Sequence, residues 1–119
     1  MNRTSPPRVL AAALVLASSI HEASTTVIGW SPGLRSQLQR AADAIAANIA
    51  EGSRQTSPRQ RCRYLEIALG SADEVGVHLR FAVDRRCITK RDFLRCEAQR
   101  VVVCRMLIGL LRAIDHRSP

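Results

Sequence analysis

The side chains that could support catalysis or bind a metal are few and widely separated. His21, His78 and His116 lie in different segments, and none has a cysteine or carboxylate at the spacing of a metal site. Asp73 and Glu74 are adjacent, so on a helix they would project about 100° apart, which is poor geometry for a carboxylate pair. No phosphate-binding loop, nucleophile elbow or zinc-protease motif occurs. We therefore expect no enzymatic activity, no metal and no cofactor.

The four cysteines also lack a chemical pattern. Cys62, Cys87, Cys96 and Cys104 are separated by 25, 9 and 8 residues, and no CxxC pair is present. Because Cys62 and Cys104 fall on apolar helix positions, each thiol would behave as a small hydrophobic group. Reduced, structural cysteines favour a cytoplasmic protein.

Four polar side chains lie beside the apolar seams of two predicted helices: Asn48, Glu51, Glu66 and Glu74. They could form a ligand or metal site inside a bundle, or they could make interhelical hydrogen bonds and ion pairs that fix the register of the helices. Because no histidine joins the group, we expect the second role.

Arginine dominates the charged surface. The chain has 18 basic and 10 acidic residues, a net charge of +8, and only one lysine. This surplus favours RNA, DNA or an anionic membrane as partner, although ordinary solvated helix faces explain it equally well. With one Trp, one Tyr and two Phe, the chain lacks a stacking platform for bases, so binding would be to phosphates, weakly specific and dependent on salt. The candidate nucleic-acid contacts form two clusters: Arg91, Arg95, Arg105 and Arg112, and then Arg54, Arg59, Arg61 and Arg63.

The composition and the apolar spacing indicate a helical protein. Apolar residues make up 46% of the chain and aromatic residues only 3%, which suits closely packed helices of Leu, Ile, Val and Ala. Ser31, Ser57 and Thr89 are predicted N-caps, and Gly52 is a predicted left-handed helix stop. The chain is thus predicted to form one domain, residues 1–119, with helices at about residues 8–24, 32–52, 58–84 and 89–115.

The last predicted helix has two apolar seams, one more than an up-down bundle needs. We expect the first seam to face the core; it comprises Leu94, Ala98, Val101, Cys104, Ile108 and Leu111. The second seam is then the predicted oligomer interface, formed by Val103, Leu107, Leu110 and Ile114.

The N-terminal segment has some features of a secretory signal. Arg3 and Arg8 precede or adjoin the apolar run 9–17, which is too short to span a membrane. No clean small-x-small cleavage site follows, and cleavage there would remove most of the first helix. We expect a cytoplasmic protein with no membrane association; a signal at residues 1–20 and a mis-assigned start remain the alternatives.

Two motifs indicate a family. The stretch GLRSQLQRAADAIAANIAEGSRQTSPRQRCRYLEIALGSADEV contains NIAEG at 48–52 and IALGS at 67–71, and CRMLIGLLRAI follows at 104–114. Over roughly residues 30–114 the chain resembles the four-helix bundle proteins of the 23S rRNA intervening-sequence family. The first helix lacks the family's Trp and Tyr pattern, and Val102 stands where the last helix often carries an acid.

The resemblance implies an all-α fold, an antiparallel up-down four-helix bundle that assembles into a homopentamer. It also implies a relation to the accessory variability protein of diversity-generating retroelements, a basic pentamer that works with a reverse transcriptase and nucleic acid. The sequence as a whole therefore predicts a non-enzymatic homo-oligomer, pentameric by resemblance, that binds RNA or DNA through its arginines. The alternative is a scaffolding protein that binds a protein partner and has no role with nucleic acid.

Overall fold

The computed structural model describes residues 6–25 and 29–117, with side chains described as far as residue 114. Its helices are α1 (Pro6–Thr25), α2 (Pro32–Ser53), α3 (Pro58–Asp84) and α4 (Lys90–Arg117), within two residues of the predicted bounds. Three parts of the sequence discussed above lie outside the described residues: Arg3, residues 26–28 of the predicted first connection, and the side chain of His116. The predicted all-α class is confirmed.

Polar side chains cap three of the helices at their predicted starts. The Gln60 amide N–H donates to Ser57 Oγ (3.3 Å), and the Leu34 N–H donates to Ser31 Oγ (3.4 Å). At the start of α4 the Asp92 N–H donates to Thr89 Oγ1 (3.1 Å). Each cap satisfies a donor that has no partner within its helix, which fixes where that helix begins.

The helices pack as a four-membered bundle. α1 and α3 each contact both α2 and α4. Contacts between α1 and α2 run in opposite directions along the chain, since His21 lies 3.1 Å from Asp43 and Ser24 lies 2.6 Å from Gln39. Because α2, α3 and α4 are also side by side and joined by short turns, each helix runs antiparallel to the one before it.

The core is aliphatic. Its largest fully buried side chains include Leu16, Ile20, Leu38, Ile45, Ile49, Leu79 and Leu107. Trp30, in the connection before α2, is the one buried aromatic residue among those described. Alanines fill many of the remaining core positions, which lets the helices approach closely.

The apolar run near the N-terminus forms part of this core. Val9, Ala13 and Leu16 of α1 are fully buried among the other helices. None of the described helices combines the length and the apolar character needed to cross a membrane. The run therefore serves as a bundle helix in the folded chain.

The predicted orientation of α4 is reversed in the structure: the second apolar seam faces the core, not the first. Val103 and Leu107 are 0% exposed, and Leu110 and Ile114 are 8% exposed, so these four face the core of their own chain. The first seam instead turns outward at several positions, with Leu94 55% exposed, Ile108 38% exposed and Ala98 also exposed. The prediction of Val103, Leu107, Leu110 and Ile114 as an oligomer interface is wrong, because α1 and α3 cover that side of α4.

Gly52 has a different role from the predicted one. α2 continues through Ser53, and its cap residue Arg54 has right-handed angles (φ −86°, ψ −13°). Among the described glycines only Gly29 has a positive φ. A Cβ at Gly52 would lie 3.1 Å from Tyr64 Cβ and 3.4 Å from the Arg61 carbonyl oxygen. Gly52 thus allows α2 to pack closely on α3; the predicted left-handed stop is wrong.

Arg100 is enclosed between α3 and α4. Its Nε and Nη2 donate to the two carboxylate oxygens of Glu97 at 2.7 and 2.6 Å, and Nη1 lies 3.5 Å from the Ala72 carbonyl oxygen. A Cβ at Gly76 would lie 2.8 Å from Arg100 Cζ. The pairing raises the pKa of Arg100 despite its partial burial. Gly76 therefore makes room for this guanidinium group.

We expect Glu97→Gln to lower the free energy of unfolding by about 1–2 kcal/mol, because a half-buried arginine loses its charged acceptor. Urea denaturation followed by circular dichroism measures the change. Glu22→Gln is the control, since Glu22 is exposed and its substitution should alter stability by less than about 0.5 kcal/mol. Equal effects of the two substitutions would show that the Arg100 pair contributes nothing particular.

Candidate functional site

The turn between α2 and α3 concentrates arginines at one end of the bundle. Arg54, Arg59 and Arg63 are exposed, whereas Arg61 is half-buried. The Arg61 Nη1 donates to the carbonyl oxygens of Gln55 (3.3 Å) and Thr56 (3.0 Å). Arg61 therefore stabilises the turn, and the other three arginines are left to meet a partner.

The exposed arginines of this turn lack close acidic partners. Arg54 Nη1 approaches Glu51 Oε2 only to 4.0 Å. Arg59 and Arg63 make no ion pair within the described part of the chain, and they line a shallow groove of about 620 Å3 with Gln60, Glu66 and Ile67. Two guanidinium groups without an ion pair, about one helical turn apart, suit the spacing of phosphates on a nucleic-acid backbone.

The four arginines of α4 are all exposed, but they span its length. Arg91 and Arg112 are about 31 Å apart along the helix axis. Leu110 and Ile114 line a pocket with Gly52 and Arg61, which places this end of α4, with Arg112, beside the α2–α3 turn. Arg91 and Arg95 lie at the opposite end, and Arg95 Nη2 is 3.7 Å from Asp92 Oδ1. The structure thus places Arg112 at the same end of the bundle as the turn cluster, whereas Arg91 and Arg95 are at the other end.

Arg8 is a further exposed arginine, and it was not among the predicted nucleic-acid contacts. Arg8 of α1 and Arg105 of α4 line a groove of about 290 Å3 together with Val102 and Met106. The sequence placed Arg8 only in the signal-like segment. Its position beside Arg105 results from the antiparallel packing of α1 on α4, which the sequence alone does not specify.

The four polar side chains that were predicted to fix the register of the helices make their contacts within single helices. Asn48 Nδ2 donates to the Ala44 carbonyl oxygen (2.8 Å), and Glu51 approaches Arg54. Glu66 is exposed, and a Glu74 carboxylate oxygen lies 3.2 Å from His78 Nε2. These contacts do not support the predicted interhelical role.

The groups capable of acid–base or nucleophilic chemistry remain apart. His21 pairs with Asp43 between α1 and α2, whereas His78 pairs with Glu74 on α3. Burial raises the pKa of the Cys96 and Cys104 thiols, so both stay protonated and are weak nucleophiles at neutral pH. Within the described residues no three or more His, Cys, Asp or Glu side chains gather as a metal site would require.

The comparisons agree with this architecture. The family model for the 23S rRNA-intervening sequence protein matches residues 8–109. None of the curated proteins is similar in sequence. A crystal structure of a protein with unknown function, from the S23 ribosomal protein family of Bacteroides thetaiotaomicron, is similar in fold, with a TM-score of 0.83 and 21% identity; the match covers 90% of this chain and 97% of that one. The chain therefore belongs to the 23S rRNA-intervening sequence protein family.

Proposed function

We propose that this protein is a non-enzymatic, oligomeric bundle that binds RNA or DNA without sequence specificity through its exposed arginines. The observation that carries the proposal is the α2–α3 turn, where Arg54, Arg59 and Arg63 are exposed and, within the described residues, the one ion pair among them is that of Arg54 with Glu51 at 4.0 Å. Phosphates are the ligands that such guanidinium groups bind best. The net charge of +8 would add long-range attraction for a polyanion.

Oligomerisation is part of the proposal. The exposed apolar side chains include Leu94, Val102 and Ile108 on α4 and Ile67, Val77 and Phe81 on α3. Several large apolar side chains exposed on two adjacent helices support a protein contact there. The resemblance implies a homopentamer, so the expected solution mass is five times that of the chain. A reverse transcriptase is the protein partner that the resemblance implies, and its co-elution with the oligomer would support that assignment.

We expect the intact protein to bind duplex RNA or DNA with a dissociation constant of about 1–100 μM at physiological salt, and more tightly as salt is lowered. Arg59→Gln with Arg63→Gln should weaken binding and reduce the slope of log K against log salt by about two. The matched control is Arg40→Gln with Arg80→Gln, which removes the same charge at exposed positions outside both arginine clusters. Electrophoretic titration at several salt concentrations measures both quantities.

Three outcomes distinguish the candidate functions. Loss of affinity confined to the Arg59 and Arg63 variant supports phosphate binding at the turn. An equal loss in both variants shows that only net charge matters. Absence of binding at low salt contradicts the nucleic-acid role and favours the scaffolding protein.

A further inference from the structure

The outward faces of α3 and α4 carry opposite charges around similar apolar side chains. We define the acidic face as the part of the outward stripe of α3 that begins at Glu66. It comprises Glu66, Gly70, Glu74, Val77, Phe81 and Asp84, all of which are exposed, and the exposed Arg59 and Arg63 continue the same stripe in the two preceding turns. The basic face comprises Arg95, Ala98, Val102, Arg105, Ile108 and Arg112 of α4, which are also exposed. At 100° per residue the first set covers about 80° of its helix and the second about 140°. Each set is therefore one continuous surface.

We infer that the acidic face of one copy packs against the basic face of the next copy, joining the chains head to tail. This inference names the contact surfaces of the oligomer in the proposed function and rests on it. The partner is a second copy of this chain because the two faces complement each other in charge, in residue size and in spacing.

The charges coincide when the two helices are aligned antiparallel. Placing Glu74 opposite Arg105 also places Asp84 opposite Arg95, and it brings Arg112 within one residue, about 1.5 Å along the axis, of the position opposite Glu66. Within the chain, Glu74 contacts His78 and Arg95 contacts Asp92 at 3.7 Å, both on their own helices. The other charged members of the two faces form no ion pair with the described residues, so they are available to a neighbour.

The sizes of the apolar residues match in the same alignment. Phe81 falls opposite Ala98, and Ile108 falls within one residue of the position opposite Gly70. A Cβ built at Gly70 meets no atom within 4 Å, so nothing in the described chain explains a glycine at this helix-interior position. A large side chain from a neighbouring helix would fill that hole, as knobs fill holes in helix bundles.

The antiparallel direction is the one that a ring requires. α3 and α4 are antiparallel within a chain, so bundles arranged with parallel axes bring α3 of one copy antiparallel to α4 of the next. Neighbouring corners of a four-helix bundle face about 90° apart, and head-to-tail contacts at such an angle close after a few copies. Symmetric pairing is disfavoured, because two basic faces or two acidic faces would place like charges together.

The contact also reassigns part of the arginine surface. Leu94, Val102 and Ile108 are interleaved with the arginines of α4, and phosphates would leave these side chains in water. In the ring Arg95, Arg105 and Arg112 neutralise carboxylates, which leaves Arg54, Arg59 and Arg63 for nucleic acid.

A charge exchange tests the interface on the full-length chain. Arg105→Glu and Glu74→Arg should each reduce the mass measured by light scattering to that of one chain, because each places like charges opposite each other. The double variant should regain the parent mass, since the exchanged charges meet again in every contact of the ring. Gly70→Leu should also reduce the mass by blocking Ile108. The control Arg54→Glu reverses a charge outside both faces and should leave the mass unchanged, and circular dichroism should show full helicity in all variants.

The outcomes separate this inference from the proposed function. A parent protein that is monomeric at every concentration contradicts the oligomer itself. A parent oligomer that withstands both single substitutions, or a double variant that stays dissociated, shows that the copies meet elsewhere. Unchanged mass with lost RNA binding in Arg105→Glu would assign this arginine to phosphate and overturn the interface.

Discussion

Leu107→Ala is expected to lower the free energy of unfolding by about 2–5 kcal/mol, whereas Ile108→Ala should change it by less than about 1 kcal/mol. The two residues are adjacent and similar in volume. Leu107 is 0% exposed and lies in the core among α1, α3 and its own helix, so truncation leaves a cavity. Ile108 is 38% exposed on the outward face of α4, where truncation removes few contacts within the chain.

Urea denaturation of dilute protein measures this difference, and glutamate substitutions extend it. Leu107→Glu should abolish the cooperative unfolding transition, because a charge cannot be buried there without a partner. Ile108→Glu should keep the helical circular dichroism spectrum and lose only self-association. The reverse pattern, in which Leu107 tolerates glutamate and Ile108 does not, would contradict the orientation of α4.

The orientation of α4 is the part of the fold that the sequence could not determine. Val103, Leu107 and Leu110 repeat at steps of three and four, and so do Leu94, Ala98 and Val101. Local spacing is identical for a stripe that faces the core and for one that faces another molecule. Only the positions of α1 and α3 decide between them, and those depend on the packing of the whole chain.

Local signals were sufficient for the ends of the helices. Ser57 and Thr89 are hydrogen-bonded to amides three residues later, as the capping pattern predicts. A cap acts within one turn, so the sequence contains all the information that it requires. Gly52 was misinterpreted for the opposite reason, since its neighbour Tyr64 lies on another helix.

The same distinction between local sequence information and contacts made in the folded chain applies to the candidate site. Composition and local sequence identified the turn arginines, and Arg59 and Arg63 are exposed as expected. The half-buried position of Arg61 could not be read from sequence, because it depends on carbonyl groups in the turn that this side chain reaches. The acidic face of α3 was missed because Glu66 and Glu74 were assigned to the interior of the bundle, whereas both are exposed.

Gly52→Leu is expected to lower the free energy of unfolding by about 1–3 kcal/mol, while Gly70→Leu should raise it by up to about 1 kcal/mol. Both glycines lie in helices, so both gain helix propensity on substitution. At Gly52 the new Cβ would meet Tyr64 Cβ at 3.1 Å and the Arg61 carbonyl oxygen at 3.4 Å, which forces α2 away from α3. At Gly70 the Cβ meets nothing within 4 Å.

Both glycine substitutions are best compared in the Ile108→Glu background, where association should not contribute to the measured stability. If Gly52→Leu is as stable as its parent, the close packing of α2 on α3 does not limit stability. The Gly70 substitution is the more informative one. This glycine weakens its own helix and a Cβ there would touch nothing in the described chain, so its presence is best explained by a contact with another molecule. In the otherwise unaltered chain, Gly70→Leu should therefore give a bundle that assembles less although its helix is intrinsically stronger. A residue needed only for folding could not produce that combination, whereas a hole reserved for Ile108 of a second copy would.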